Sequence, residues 1–209
     1  MKSISAADFI LHWISLFEHI TSQSAWIERW NSNTKWSELI LGTKKSSTAN
    51  SPIGEYFKTQ YQNLRYRTED GLFDLTMTLA NNIDEIPTLG KHYEHITFKL
   101  PDKEFYPVSY DILLEHENDI YSSWNEIAKL TYVRGYLKVL VTYNSDTTDN
   151  VRIEKENQMI FRSAKKIIGD SNAVLRDNDS TEYLILIGRK LHDKLTWTSK
   201  TYKFDGMEI

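Results

Sequence analysis

Apolar residues recur at helical spacing through the first forty positions. Phe9, Trp13, Leu16, Phe17 and Ile20 share one stripe, and Ser5 stands where an N-cap belongs. Trp26, Trp30 and Trp36 continue the apolar content with weaker order, so residues 5–41 read as one long helix or two shorter ones. The polar run from Gly42 to Asn50 has no apolar period and reads as a loop or boundary. Ser51-Pro52 then opens a further helix. Serine can cap its free N–H groups, and proline at the first position gives up a donor that had no partner. Ile53, Phe57, Tyr61 and Leu64 form the stripe of this helix.

Asp70-Gly71 is a turn signal, and the period changes to two beyond it. Phe73, Leu75, Met77 and Leu79 alternate with Asp74, Thr76 and Thr78, which predicts a half-buried strand over 72–80. Residues 81–92 read as loop, Ile96 to Leu100 as a short strand, and Pro101-Asp102-Lys103 as a turn. Val108 to Glu117 is a strand, Ile120 to Val133 an amphipathic helix stopped by Gly135, and Tyr136 to Tyr143 an apolar strand. Strand, helix and strand with short links predict a right-handed crossover and a parallel pair. A helix over about 151–168, ended by Gly169, precedes strands at 183–187 and 195–204. The expected fold class is α/β, with a mixed central sheet flanked by helices and an N-terminal helical region. Residues 1–50 are expected to form that region and its loop, and 51–209 the α/β domain, as one compact unit.

Composition narrows the chemistry. The 209 residues are 40% hydrophobic and 26% charged, which excludes a wholly disordered chain. There is no cysteine, so disulfide scaffolds, thiol nucleophiles and iron–sulfur centres are excluded. The first apolar run is broken by His12 and flanked by Asp8 and Glu18, which suit neither a signal peptide nor a membrane span. The expectation is a cytoplasmic protein with no membrane partner. The formal charge of −4 argues against coating nucleic acid by charge alone.

The segment Glu115-His116-Glu117-Asn118 carries the candidate chemistry. Alternation places Asp111, Glu115 and Glu117 on one face and His116 on the other. Residues two apart on a strand lie about 6.6 Å apart along it. Carboxylates so placed repel each other, and a hard divalent cation with oxygen ligands removes that repulsion. The plain alternative is a charged edge strand or carboxylates paired to lysine and arginine. Upstream, Asp74 is the single acid on its strand, and Glu55 sits in the first turn of the helix before it.

This arrangement over residues 51–143 resembles the PD-(D/E)XK nuclease-like superfamily, the restriction-endonuclease-like fold. There a helix precedes a three-stranded sheet, then a helix and a further strand. The resemblance implies Mg²⁺ or Mn²⁺ as cofactor, DNA as substrate and, where both strands are cut, a homodimer. It matches Asp74 to the first acid, Glu115 to the second and Glu55 to the helix glutamate. Glu117 stands where the lysine normally does, so the pair is Glu-x-Glu. Some members move that lysine to the following helix, where Lys129 suits the role. The resemblance thus implies Asp74, Glu115, Glu117 and Glu55 around the metal, with Lys129 stabilising charge on the phosphate. Asp70 and Asp111 compete with Asp74, and the long interval from Asp74 to Glu115 implies an insertion. A second reading is a catalytically weak module on the same fold that binds nucleic acid or protein. A third is a metal-dependent hydrolase of small phosphorylated substrates.

Other motifs add little. His92 and His95 are three apart, and no His-x₃-His or His-Glu-x-x-His pattern occurs. Gly-x-Gly-x-x-Gly, Walker and Gly-x-Ser-x-Gly motifs are also lacking. The early tryptophans suit core packing better than base stacking. Arg152, Lys155, Arg162, Lys165 and Lys166 on one helix, with Arg189, Lys190, Lys194, Lys200 and Lys203 beyond it, are candidates for a basic groove or a solvated surface.

Overall fold

The computed structural model describes residues 4–23, 25–42, 51–70, 73–79, 83–86, 104–107, 110–175 and 179–209. Fourteen elements follow in the order α1(Ala6–Thr21), α2(Trp26–Trp30), α3(Asn33–Leu41), α4(Pro52–Gln60), β1(Leu64–Asp70), β2(Phe73–Leu79), β3(Ile83–Ile86), β4(Glu104–Pro107), β5(Tyr110–His116), α5(Ser123–Thr131), β6(Gly135–Tyr143), α6(Asn150–Leu175), β7(Glu182–Leu191) and β8(Lys194–Lys203). Six strands form one sheet in the order β1-β2-β5-β6-β7-β8. The inner pairs β5·β6 and β6·β7 are parallel, and the outer pairs are antiparallel. The crossovers through α5 and α6 supply the parallel pairs, as the strand–helix–strand pattern requires.

The two faces of the sheet bury different helices. Leu75, Met77, Ile112, Leu114, Leu137, Val139 and Val141 pack under α1–α4. On the other face Leu113, Leu140, Ile185 and Ile187 pack against Ile127 and Leu130 of α5 and Ile160, Ala164 and Ile168 of α6. Strands buried on both faces read as near-continuous apolar runs, the character of β6 and β7, with buried Lys138 of β6 donating to Tyr183 Oη at 2.9 Å. Every tryptophan but the exposed Trp124 serves this packing. Trp13 meets Trp197 edge-on at 5.3 Å, and Trp36 meets Tyr143 at 5.8 Å.

Local chemistry explains several boundaries. Ser51 Oγ accepts from Gly54 N–H at 3.0 Å and donates to the Ile40 carbonyl at 2.8 Å, so one buried hydroxyl caps α4 and ties it to α3. Loss of such a cap costs about 1 kcal/mol. The helix stripe ends earlier than its spacing suggested: Leu64 begins β1, a strand the sequence pattern does not announce. Conversely, α6 runs through Gly169 to Leu175. A Cβ at Gly169 would lie 3.2 Å from the Asp205 carbonyl, so this glycine admits a neighbouring turn rather than ending the helix. The interval between β2 and β5 contains the separate β3·β4 antiparallel pair, in keeping with an insertion. The expected strand at 96–100, the turn at 101–103, His92, His95 and the loop at 43–50 lie outside the described residues.

Candidate active site at the end of the central strand

The register of β2 on β5 decides which acids meet. Leu75 pairs with Leu114 and Thr76 with Leu113, so the next step sets Asp74 opposite Glu115. Asp74 Oδ2 accepts the His116 backbone N–H at 2.8 Å. Glu115 lies on the α5 side of the sheet with Leu113, and its side chain is only 1% exposed. Glu115 is among the groups that act on the Asp74 carboxyl, with the His116 N–H, Lys129 and Glu126.

Helix α5 supplies the cation. Lys129 Nζ is 2.8 Å from Glu115 Oε2 and 2.6 Å from Glu126 Oε2, one helical turn earlier. The other Glu115 oxygen, Oε1, is buried and has no hydrogen-bond partner among the described residues. Burial is the largest influence on Glu115 and pushes it up to about 9; Lys129 opposes this and the nearby Asp74 charge adds to it. Burial also raises Asp74, against the pull of the His116 N–H and Lys129. Burial disfavours the Lys129 ammonium, but contact with Glu115 and Glu126 outweighs it and holds the group above the ordinary lysine value. Three acids thus face one lysine. A proton or a cation must offset the excess negative charge in so dry a place.

The structure brings together Asp74, Glu115 and Lys129, but it does not bring in the other two candidates. Glu117 lies beyond the end of β5, and its Oε1 accepts from Asp119 N–H at 2.8 Å in an exposed turn. The alternation that put Glu117 beside Glu115 stops because the strand stops at His116. Glu55 accepts from Tyr66 O–H at 2.6 Å and lies 3.7 Å from Lys58, so its partners are on α4 and β1. Asp111 accepts from Leu79 N–H at 2.7 Å and latches the far end of β2. The Asp70 side chain lies outside the described residues. His116 points to the opposite face, where its Nε2 is 2.9 Å from Tyr143 Oη. Burial pushes it down to about 3 and keeps it neutral. Glu126 is the residue that sequence reasoning missed; its signal was the spacing of three to Lys129 on an amphipathic helix.

Among the described residues, no group of three or more histidines or acids is arranged to hold a metal ion by itself. Magnesium, however, is commonly held by one or two carboxylates, with water and substrate phosphate completing the shell. Asp74 and Glu115 are the two acids that adjacent strands set opposite each other, and Oε1 of Glu115 has no hydrogen-bond partner among the described residues. Compared with known proteins, the chain matches no family model, no curated protein and no solved structure. No helix among the described residues is long and apolar enough to cross a membrane.

Proposed function

We propose that this protein is a Mg²⁺-dependent nuclease that hydrolyses DNA phosphodiester bonds. The observation that carries the reading is the meeting of Asp74 and Glu115, from adjacent strands, with Lys129 from the following helix. This trio matches the PD-(D/E)XK pattern with the lysine moved to the helix, and the β3·β4 pair accounts for the long interval between the acids. Asp74 and Glu115 would hold the metal. When bound, Mg²⁺ neutralises charge on the scissile phosphate and lowers the pKa of a water.

The chain's own residues supply the rest. The His116 N–H fixes the Asp74 carboxylate, and the buried wall of β5 and α5 orients Glu115 and excludes bulk water. Lys129, 2.8 Å from Glu115, would stabilise the negative charge that builds on the phosphate as water oxygen bonds to phosphorus. The phosphorus–oxygen bond to the leaving group then breaks, and that oxygen takes up a proton. Glu126 holds the Lys129 ammonium in place while substrate draws it from Glu115.

A binding module on the same fold is the second reading. It is favoured by Lys129 already covering Oε2 of Glu115 and by the lack, among the described residues, of three acids or histidines grouped to hold a metal. Calorimetric titration with Mn²⁺, paired with cleavage of labelled DNA, separates the two. The nuclease reading expects metal binding and cleavage in the wild type and loss of both in Asp74→Asn. Absence of both in the wild type would leave the binding module.

A further inference from the structure

A second feature opens at the same end of the sheet, on the α1–α4 side. A cleft of about 330 Å³ lies between α2–α3 and the segments that follow β5 and β6. Its aromatic wall is Trp30 and Tyr143, whose rings meet edge-on at 5.2 Å with an interplanar angle of 88°. Trp36 backs this wall, 4.9 Å from Trp30. Four asparagines add amides to the lining: Asn31, Asn33, Asn118 and Asn144.

The polar wall is built rather than incidental. Asn144 is buried and donates to Asn157 Oδ1 at 2.9 Å and Glu156 Oε2 at 3.3 Å. Glu156, itself 3% exposed, also accepts from Ser145 N–H and from Tyr121 O–H, and Arg152 lies beside it at 3.1 Å. Asn118 donates to Ser37 Oγ at 3.0 Å, which ties the β5 end to α3. Asn33 has no side-chain partner among the described residues. The lining thus offers the amides of Asn33 and Asn118 beside the half-buried ring of Trp30, while Tyr143 and Trp36 behind it are buried.

We propose that this cleft takes up one unpaired nucleobase of a nucleic-acid strand. A base presents a donor and acceptor edge that asparagine reads, and a face that stacks on aromatic rings. Charge selects the base over the phosphate. The lining holds Asp119 and Asp146, which repel anions, and the nearby cations Lys190 and Arg152 are each engaged with a lining side chain, Asn31 at 3.3 Å and Ser145 at 3.2 Å. The cleft and the carboxylates share one end of the sheet and open on opposite faces of it. Asn118 follows Glu115 by three residues, which limits their separation to roughly 10 Å along the chain. The proposal deepens the nuclease reading, since it assigns an unpaired strand as substrate. Base uptake nevertheless needs neither metal nor Glu115.

The test uses the full chain, labelled with ¹⁵N and without metal. Each of the four 2′-deoxynucleosides is titrated to its solubility limit, with methyl glucoside and inorganic phosphate as controls. Saturable shifts of the Trp30 and Trp36 indole signals and the Asn118 and Asn144 side-chain amides, for at least one nucleoside, support the proposal. The pair of substitutions Asn33→Ala and Asn118→Ala should weaken binding about tenfold or more, and Glu115→Gln should leave it unchanged. Backbone spectra confirm that each variant remains folded. No shift with any nucleoside, equal shifts with the glycoside or with phosphate, or binding undiminished in the asparagine variant would overturn the proposal. Failure of the nuclease reading has a different signature: nucleoside binding persists while metal-dependent cleavage is missing from the wild type.

Discussion

Oε2 of Glu115, at the end of β5, lies 2.8 Å from the Lys129 ammonium on α5, with Glu115 1% exposed and Lys129 28% exposed. Strand and following helix therefore share one contact, closed on the strand side and reachable from the helix side. Lys129→Met removes the cation without adding polarity. Cleavage should fall about 10²–10³-fold, the usual cost of losing one preorganised charge-stabilising donor. Steady-state kinetics should place this loss in kcat with KM little changed; a loss confined to KM would make Lys129 a binding residue.

Burial of titratable groups predicts how stability follows pH in metal-free protein. Glu115 is faced by Asp74, Glu126 and Lys129, and its carboxyl is raised from 4.5 to about 9. Below 4.5 it is protonated in both states and its contribution is fully present. As pH rises toward 9 the unfolded chain ionises and the folded one does not, so stability is lost. Asp74 is raised and acts in the same direction. His116 is lowered from 6.5 to about 3, so its contribution is present above 6.5 and is lost as pH falls through that window. Urea unfolding across pH in chelator should show Glu115→Gln flattening the alkaline slope and His116→Gln flattening the acid slope.

Glu117 and Glu55 serve as internal controls. Glu117→Ala breaks an exposed turn contact to Asp119 N–H and should leave cleavage within about threefold, since exposed changes of this kind move energies by roughly 0.5 kcal/mol. Glu55→Ala loses the Tyr66 hydrogen bond, which should lower stability by about 1 kcal/mol while cleavage persists. Loss of cleavage in Glu117→Ala would restore the Glu-x-Glu ligand pair.

Gly188 tests the packing beneath the aromatic cleft. A Cβ there would lie 2.6 Å from Tyr143 Cδ1 and 2.9 Å from Trp197 Cζ3. Gly188→Ala must displace ring atoms on the side of the sheet that carries Tyr143 and should cost about 1–3 kcal/mol. Thermal unfolding measures that loss, and near-ultraviolet circular dichroism should register the moved rings.

The legible parts of the sequence are those where one period governs a whole segment. The alternation from Phe73 to Leu79 and the apolar run from Tyr136 to Tyr143 identify β2 and β6, and capping at Ser5 and Ser51 marks α1 and α4. Strand β1 was hidden because Leu64 also fits the stripe of α4, while Arg65, Arg67, Glu69 and Asp70 give a charged edge strand little apolar signal. The resemblance groups Asp74, Glu115 and Lys129, and the register of β2 on β5 with the docking of α5 brings the three together. Glu117 misled because alternation says nothing about where a strand ends. Glu126 escaped notice because its role depends on reaching Lys129, a contact that exists only once α5 docks on β5.

The most direct measurement is cleavage of single- and double-stranded DNA by wild type and Glu115→Gln, each with Mg²⁺, with Mn²⁺ and with chelator. The account predicts cleavage by the wild type only with metal, and at least about a hundredfold less by the folded Glu115→Gln variant. Cleavage that survives unchanged in Glu115→Gln, or a wild type inert with both metals, would contradict it.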